Sequence, residues 1–576
     1  MRILLLTILL SLFVRLRGQE LLTECERSDG TCTFTYEAGI RFCEQLDSLS
    51  PFISLFTYGK TDAGEPLHLL VFDADKNFNP ETRKEVVLIN NAIHPGEPDG
   101  VEASLMILRD LAYSEDLRAE YAGVRILVIP FYNVSGALNR IAHSRANQVG
   151  PNEYGFRGSG KNLDLNRDFI KADALNTFAF YLIFHTWNPH VFVDTHVSNG
   201  ADYPYTMTLI HTQEEKYGDQ CATLLKNSFV PQLYSRMEGQ GEVMSPYVNV
   251  HGSPPDNGFT AFMETPRFSN GYTSLFDCFS FVSETHMLKP YSQRVKATKL
   301  FLEQLILVTD QLKPSASINK DRQARTAYTA RGASYAIPYG WESSGICDSL
   351  WFKGYKAAYK PSVVSGSPRL FYDREQPFEK NIPYCDDFRV KASGQSVRAY
   401  VIPQAWQEVV VHLAANGVKI DTLKVADTLK VAQAKILSFE TGITPYEGHY
   451  VHSQTQVEWS AQVRVFRKGD YLIFPDAKTE TFLANVLQPE APDSYFNWNF
   501  FDAVLQQKEW FSDYVFEDIA AELLQNDPEL RAKLEKQKSL DPAFAASSFE
   551  QLYFVYRNSP YFEESFKRYP VYIIPY

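Results

Sequence analysis

Between residues 50 and 315, short apolar runs alternate with longer stretches of helical periodicity. Leu67–Phe72, Val86–Ile89, Val124–Phe131, Val191–Asp194 and Thr206–Ile210 are the runs, and they are rich in Val, Ile and Leu. Near-continuous apolar character is the mark of strands covered on both faces. Val101–Tyr113, Asn176–Trp187, Gln213–Leu233 and Ser292–Leu312 carry the helical patterns between and after them. The last sets Val295, Leu302, Leu305 and Ile306 near one face and meets a stop signal at Lys313-Pro314. Strands that need cover above and below allow few architectures. The pattern predicts an α/β fold over 50–315, with three α/β/α layers around a mostly parallel mixed sheet.

The texture changes after Pro314. Residues 316–490 are rich in Tyr, Val, Thr and Gly, with turn signals at short spacing. Gln395–Val401, Gln407–His412, Gln456–Val465 and Tyr471–Phe474 read as strands of a β-rich accessory region. Residues 491–576 read as a helical and aromatic region, with helices expected at Trp498–Gln507, Phe516–Asn526 and Pro528–Lys538. The tail from Tyr553 to Tyr576 is dense in Tyr, Phe and Pro, which predicts that it packs onto the body.

At the other end, Ile3–Val14 is a twelve-residue apolar run behind Arg2. Roughly 18 apolar residues are needed to cross a membrane. The run therefore reads as a signal peptide over 1–18, with 19–49 as an N-terminal segment before the α/β domain. This predicts a secreted, periplasmic or cell-surface protein with no transmembrane span once the signal is removed.

Charge and cysteines narrow the chemistry. Fifty-six basic against sixty-nine acidic side chains leave a net −13, which speaks against a phosphate-backbone binder and so against nucleic acid as partner. Seven cysteines without a CxxC pair are neither a disulfide framework nor a thiolate zinc site. Cys25 and Cys32 are spaced to close a small loop in an oxidising compartment.

The chemistry-bearing residues cluster in 90–290. His94-Pro-Gly-Glu97 follows the run Val86–Ile89, so both side chains stand just past a strand end, where ligand sites form in α/β sheets. A His and a Glu three apart on a turn can reach one cation, and catalytic zinc commonly takes two His and one Glu. A second strand, Val191–Asp194, continues into Thr195-His196, placing Asp194 and His196 on one face. Between them lies Asp164-Leu-Asn166-Arg167. Adjacent Asn and Arg suit a carboxylate, and an Asp can hold a ligand His from behind. Gly155–Lys161 has the spacing of a phosphate-binding loop, but Asn162 stands where Ser or Thr would be needed and no apolar strand precedes it.

The ordered set HxxE, D-x-N-R, strand-end His and late Glu resembles the zinc carboxypeptidases, the carboxypeptidase A-like metallopeptidases, over about residues 50–315. The resemblance implies one Zn2+ per chain, held by His94, Glu97 and His196, with Asp164 orienting His94. It implies that Asn166 and Arg167 bind the free C-terminal carboxylate of a peptide or protein substrate. The general base would be Glu284 on the last strand, with Glu264 as rival. Arg145, from a set that also includes Arg140 and Arg157, would face the developing oxyanion. Tyr272 would be the substrate-binding tyrosine, although it lies only twelve residues before Glu284. Arg267 in the same loop is an alternative reader of the substrate carboxylate. The implied activity is hydrolysis of peptide bonds near a free C-terminus by zinc-activated water. Two other readings fit the same residues: a zinc amidase or deacylase acting on cell-wall peptides or N-acyl amino acids, and a catalytically inactive peptidase-like binding protein.

Overall fold

The computed structural model describes residues 21–576 except His251. The Ile3–Val14 run, and with it the expected signal peptide, lies outside the described residues.

The first half of the chain forms strands β1 (Ile53–Tyr58), β2 (Leu67–Phe72), β3 (Glu85–Asn90), β4 (Val124–Ile129), β5 (Val191–Ser198), β6 (Met207–His211), β7 (Ser245–Pro246), β8 (Phe259–Thr260) and β9 (Phe279–His286). All but β8 join one sheet, in the order β1-β2-β4-β3-β5-β9-β6-β7. The middle four, β4-β3-β5-β9, are mutually parallel. β2 flanks them antiparallel on one side, with β1 antiparallel to β2 at the edge, and β6 flanks them antiparallel on the other.

Strand alternation divides the core in two. In β3, Val86 and Leu88 face one layer while Val87 and Ile89 face the other, all buried. Helices Tyr36–Leu49, Asp99–Tyr113, Val230–Gly239 and Tyr291–Leu312 cover the second face. The first face is covered by helix Leu175–Trp187 together with the C-terminal half: one apolar cluster runs from Val86 and Phe192 through Phe180 to Leu413, Phe482 and Val571. The α/β/α layering is therefore present, and one of its outer layers is shared with residues beyond 395.

The second half contains β10 (Ala336–Ser343), β11 (Asp348–Pro361), β12 (Pro368–Cys385), β13 (Phe388–Gln395), β14 (Ala399–Ile402), β15 (Asp421–Thr422), β16 (Asp427–Thr441), β17 (His452–Phe466), β18 (Tyr471–Ile473) and β19 (Arg568–Ile574). β11 and β12 make a long hairpin closed at its base by a Cys347–Cys385 disulfide. β14 to β19 form a six-stranded antiparallel sheet in the order β15-β18-β14-β19-β16-β17. The aromatic tail enters the fold as β19, between β14 and β16.

Four local expectations are corrected. Gln407–His412 is not a strand but the start of helix Gln407–Ala415. Its Val409–Val411 run has strand propensity, yet only Val409, Val410 and Leu413 are buried and Val411 is exposed, which is a helical face. Trp498–Gln507 is not a helix. Asn499 has left-handed backbone (φ 68°), and only a 3₁₀ turn at Asp502–Leu505 follows. Gln213–Leu233 is broken into pieces, with a π turn at Leu225–Phe229 just before Pro231, whose missing N–H disrupts the α-helical register. Cys25 and Cys32 are unbridged, one buried and one exposed.

Candidate metal centre and substrate cleft

The site forms where β3, β5 and β9 end. β5 extends beyond β3: Asn90, the last residue of β3, is level with Asp194, so His196 stands past the end of β3 beside the loop carrying His94 and Glu97. That loop leads straight into helix Asp99–Tyr113, which presses on β5. A Cβ at Gly100 would fall 2.5 Å from Thr195 Cβ, so only glycine permits this approach. Glu284 on β9 lies in register with His196.

His94, Glu97 and His196 converge. Their ligand atoms all lie within 4.8 Å of one another, and all three residues are buried. His94 Nδ1 is 3.1 Å from His196 Nδ1 and 3.3 Å from Glu97 Oε1. His196 Nδ1 is 2.9 Å from Glu97 Oε2. Each ring is held from behind by a carboxylate: Asp164 Oδ1 is 2.9 Å from His94 Nε2, and Asp194 Oδ2 is 2.9 Å from His196 Nε2. A carboxylate on Nε2 fixes the tautomer and turns Nδ1 forward as a lone-pair donor. Two imidazoles and a carboxylate, each with its outer partner satisfied, fit a catalytic zinc ion.

Positive charge borders this triad. Arg145 Nη1 donates to Glu97 Oε1 at 2.7 Å, and its Nε donates to Gln148. Arg157 Nη2 donates to Asp164 Oδ2 at 2.8 Å, and its Nη1 is 3.2 Å from His94 Nδ1. Burial works to raise the Glu97 carboxyl, but Arg145 and then His94 outweigh it and hold it well below the usual range. Arg140 points elsewhere, onto the carbonyls of Phe34 and Glu153.

Asn166 and Arg167 lie on a 3₁₀ turn capped by Asp164. Asn166 Oδ1 accepts from Ser269 N at 3.0 Å, which turns its amide donor toward His196. Arg167 lies 4.3 Å over the Phe268 ring. Glu284 Oε2 is buried with no hydrogen-bond partner among the described residues. Burial, opposed by His196 and reinforced by Glu97, pushes this carboxyl up to about 7. One cleft of about 560 Å³ is lined by His94, Glu97, Arg145, Arg157, Asn166, Arg167, His196 and Glu284. Ile210, Phe262, Phe268 and Val282 supply apolar wall, and Tyr247, Asn249 and Asn270 supply polar wall.

Other expected residues lie apart from this cleft. Tyr272 is fully buried in helix Ser269–Ser274, stacked at 5.1 Å on Tyr181, and its hydroxyl donates to Asn416 Oδ1 at 2.5 Å. It corrects the expectation of a substrate-binding tyrosine there. Its helix turns that ring into the core, whereas Tyr247, just after β7, lines the cleft. Nothing in its sequence, Ser-Pro-Tyr-Val, signals this. Glu264 Oε1 is 2.8 Å from Lys216 Nζ, away from the cleft. Arg267 is engaged by Asp493 at 2.6 Å and stacked 5.0 Å from Trp498, so it does not face a substrate. Asp194 is the partner that sequence reasoning left without a role, although its alternation with His196 was visible.

Fold and site together define the class: a zinc metallocarboxypeptidase, hence a hydrolase. A zinc carboxypeptidase family model matches residues 40–257. Carboxypeptidase 2 of Trichophyton rubrum is 22% identical over 494 residues, 81% of this chain and 84% of that one. Carboxypeptidase 2 of Trichophyton equinum is 22% identical over 460 residues, 76% of this chain and 78% of its own. Among solved structures, a metallo-carboxypeptidase from Pseudomonas aeruginosa in complex with (2-guanidinoethylmercapto)succinic acid covers 48% of this chain and 70% of its own, at 15% identity and a TM-score of 0.37.

Proposed function

We propose that this chain removes C-terminal residues from peptides, with a preference for apolar side chains, and binds one zinc ion. What carries the reading is that the His94–Glu97–His196 triad, Glu284 with its free buried oxygen, and Asn166–Arg167 all line one cleft. Zinc bound there supplies a Lewis acid for the substrate carbonyl and acidity to a water in the cleft. Glu284 accepts the proton of the attacking water at its unpaired oxygen and returns it to the leaving amine. Arg145 and Arg157 present N–H donors where the carbonyl oxygen gains charge. Arg167, with the Asn166 amide, holds the terminal carboxylate, and its stacking on Phe268 keeps the guanidinium in place.

Substrate choice follows from the walls. Apart from the metal triad, Glu284 and the three arginines, no charged side chain among the described residues lines the cleft. Ile210, Val282, Phe262 and Phe268 therefore favour an apolar or aromatic terminal side chain. Residues 50–315 form the catalytic unit and the later regions its accessory structure. The Cys347–Cys385 disulfide supports function in an oxidising compartment, in keeping with secretion. Among the described residues no helix is long and apolar enough to cross a membrane.

The test is a panel of peptides differing in their last residue, beside N-acyl amino acids and cell-wall peptides, with metal content measured in parallel. Release of apolar C-terminal residues, lost in a chelator and restored by zinc, is the expected result. Hydrolysis of the acyl amino acids or cell-wall peptides alone would turn the reading to a deacylase or amidase. Bound metal with no turnover of any amide would make it a binding protein.

A further inference from the structure

The catalytic loop is gripped by a segment far away in the chain. Residues 442–451 join β16 to β17 and reach from the C-terminal sheet to the loop bearing Asp164, Asn166 and Arg167. Glu447 Oε2 accepts a hydrogen bond from the Asp164 backbone N–H at 2.7 Å, across 283 residues of sequence. Two further contacts seat the same tip. His449 Nε2 is 2.8 Å from Asp173 Oδ2, which also receives the buried Lys171 ammonium at 2.5 Å. The Tyr446 ring lies 5.5 Å from the Arg267 guanidinium, itself fixed by Asp493. Glu447 has left-handed backbone (φ 49°), a conformation unfavourable for an L-residue that persists only where surrounding contacts hold it.

We propose that this hairpin tip is a built part of the catalytic site and that Glu447 is a positioning residue acting through Asp164. The Asp164 carboxylate serves two neighbours at once: Oδ1 meets His94 Nε2 and caps the Asn166 N–H, each at 2.9 Å. Its other oxygen takes Arg157. Holding the Asp164 N–H fixes the turn from which all three are aimed. A single bond from the C-terminal half thus sets the ring of an expected metal ligand and the start of the Asn166–Arg167 pair. A site of this kind needs its groups held to within about 0.5 Å, which a surface loop alone does not supply. The inference rests on the reading of His94 as a zinc ligand.

The test compares the full chain with Glu447→Ala, Glu447→Gln and Glu447→Asp. Zinc affinity is measured by competition with a chelator, kcat and KM on a peptide with an apolar C-terminus, and the melting temperature on metal-free protein. Loss of an outer partner of a metal ligand typically costs 10–100-fold in affinity or activity. Here about 10-fold weaker zinc binding and a lower kcat are expected for Ala. Gln keeps an acceptor oxygen at the same reach and is expected to restore both. Asp, one methylene short, is expected to fall with Ala, and it carries the test if Ala does not fold. Wild-type zinc affinity in Ala or Asp would overturn the proposal, as would a lowered melting temperature with unchanged zinc binding and kcat. Failure of the unmodified chain to bind zinc would instead overturn the metal-site reading.

Discussion

Asp194 Oδ2 stands 2.9 Å from His196 Nε2, and the same ring presents Nδ1 to Glu97 at 2.9 Å. Asp194 is itself held by Ser269 Oγ at 2.7 Å, so the ring is anchored two steps back from the donor atom. Asp164 does the same for His94. Both imidazoles therefore have Nε2 anchored on a carboxylate and Nδ1 turned toward the other members of the triad.

Replacing that anchor should act on metal binding first. Asp194→Asn removes the charge that holds the imidazole N–H, and zinc affinity is expected to fall about 10–100-fold. Titration with a competing chelator reads the change. Unaltered affinity would show that the ring needs no anchor.

Glu284→Gln should separate chemistry from binding. Glu284 is not one of the three converging ligand residues, so zinc should stay bound. Loss of a positioned general base costs about 10²–10⁴ in rate, which steady-state kcat reports. In the unmodified enzyme the base must be ionised to act. Its carboxyl is pushed up to about 7 by burial, and a cation nearby lowers it again. The acid limb of kcat/KM should therefore rise with pH and have its midpoint at or below about pH 7.

The apolar wall makes a specificity switch available. Ile210→Asp places a carboxylate among the apolar wall residues Phe262, Phe268 and Val282. Peptides ending in phenylalanine should lose at least about 10-fold in kcat/KM, and peptides ending in lysine or arginine should gain. Equal losses on both would place the terminal side chain elsewhere.

A pH effect on stability is expected far from the chemistry. Glu102 is buried, and its carboxylate accepts from Thr33 Oγ1, Phe34 N and Cys25 N. Burial nevertheless pushes its carboxyl up to about 7, from 4.5. Between those values the folded chain holds a proton that the unfolded chain has released. Stability therefore falls as pH rises from about 4.5 to 7 and is constant in this respect above, by about 3 kcal/mol in all. Denaturant midpoints across pH should show that slope, and Glu102→Gln should flatten it.

The sheet and the metal turn were legible because they are local. Unbroken apolar runs announce strands buried on both faces, and a His and a Glu three residues apart must share a turn. Asp164, Asn166 and Arg167 are close in sequence, so their spacing alone put them on one loop. What local spacing could not settle was every choice that depends on a distant surface. Val409–Val411 is as good a strand as a helix until the core it meets buries only one helical face. Tyr272 and Tyr247 both precede Glu284, and only the direction of helix Ser269–Ser274 sends the first into the core while the second reaches the cleft. Arg267 looked free until Asp493 was beside it. Periodicity dictates which side chains share a face. Which faces meet, as Glu447 meets Asp164 across 283 residues, is decided by how buried surfaces pack once the whole chain has closed.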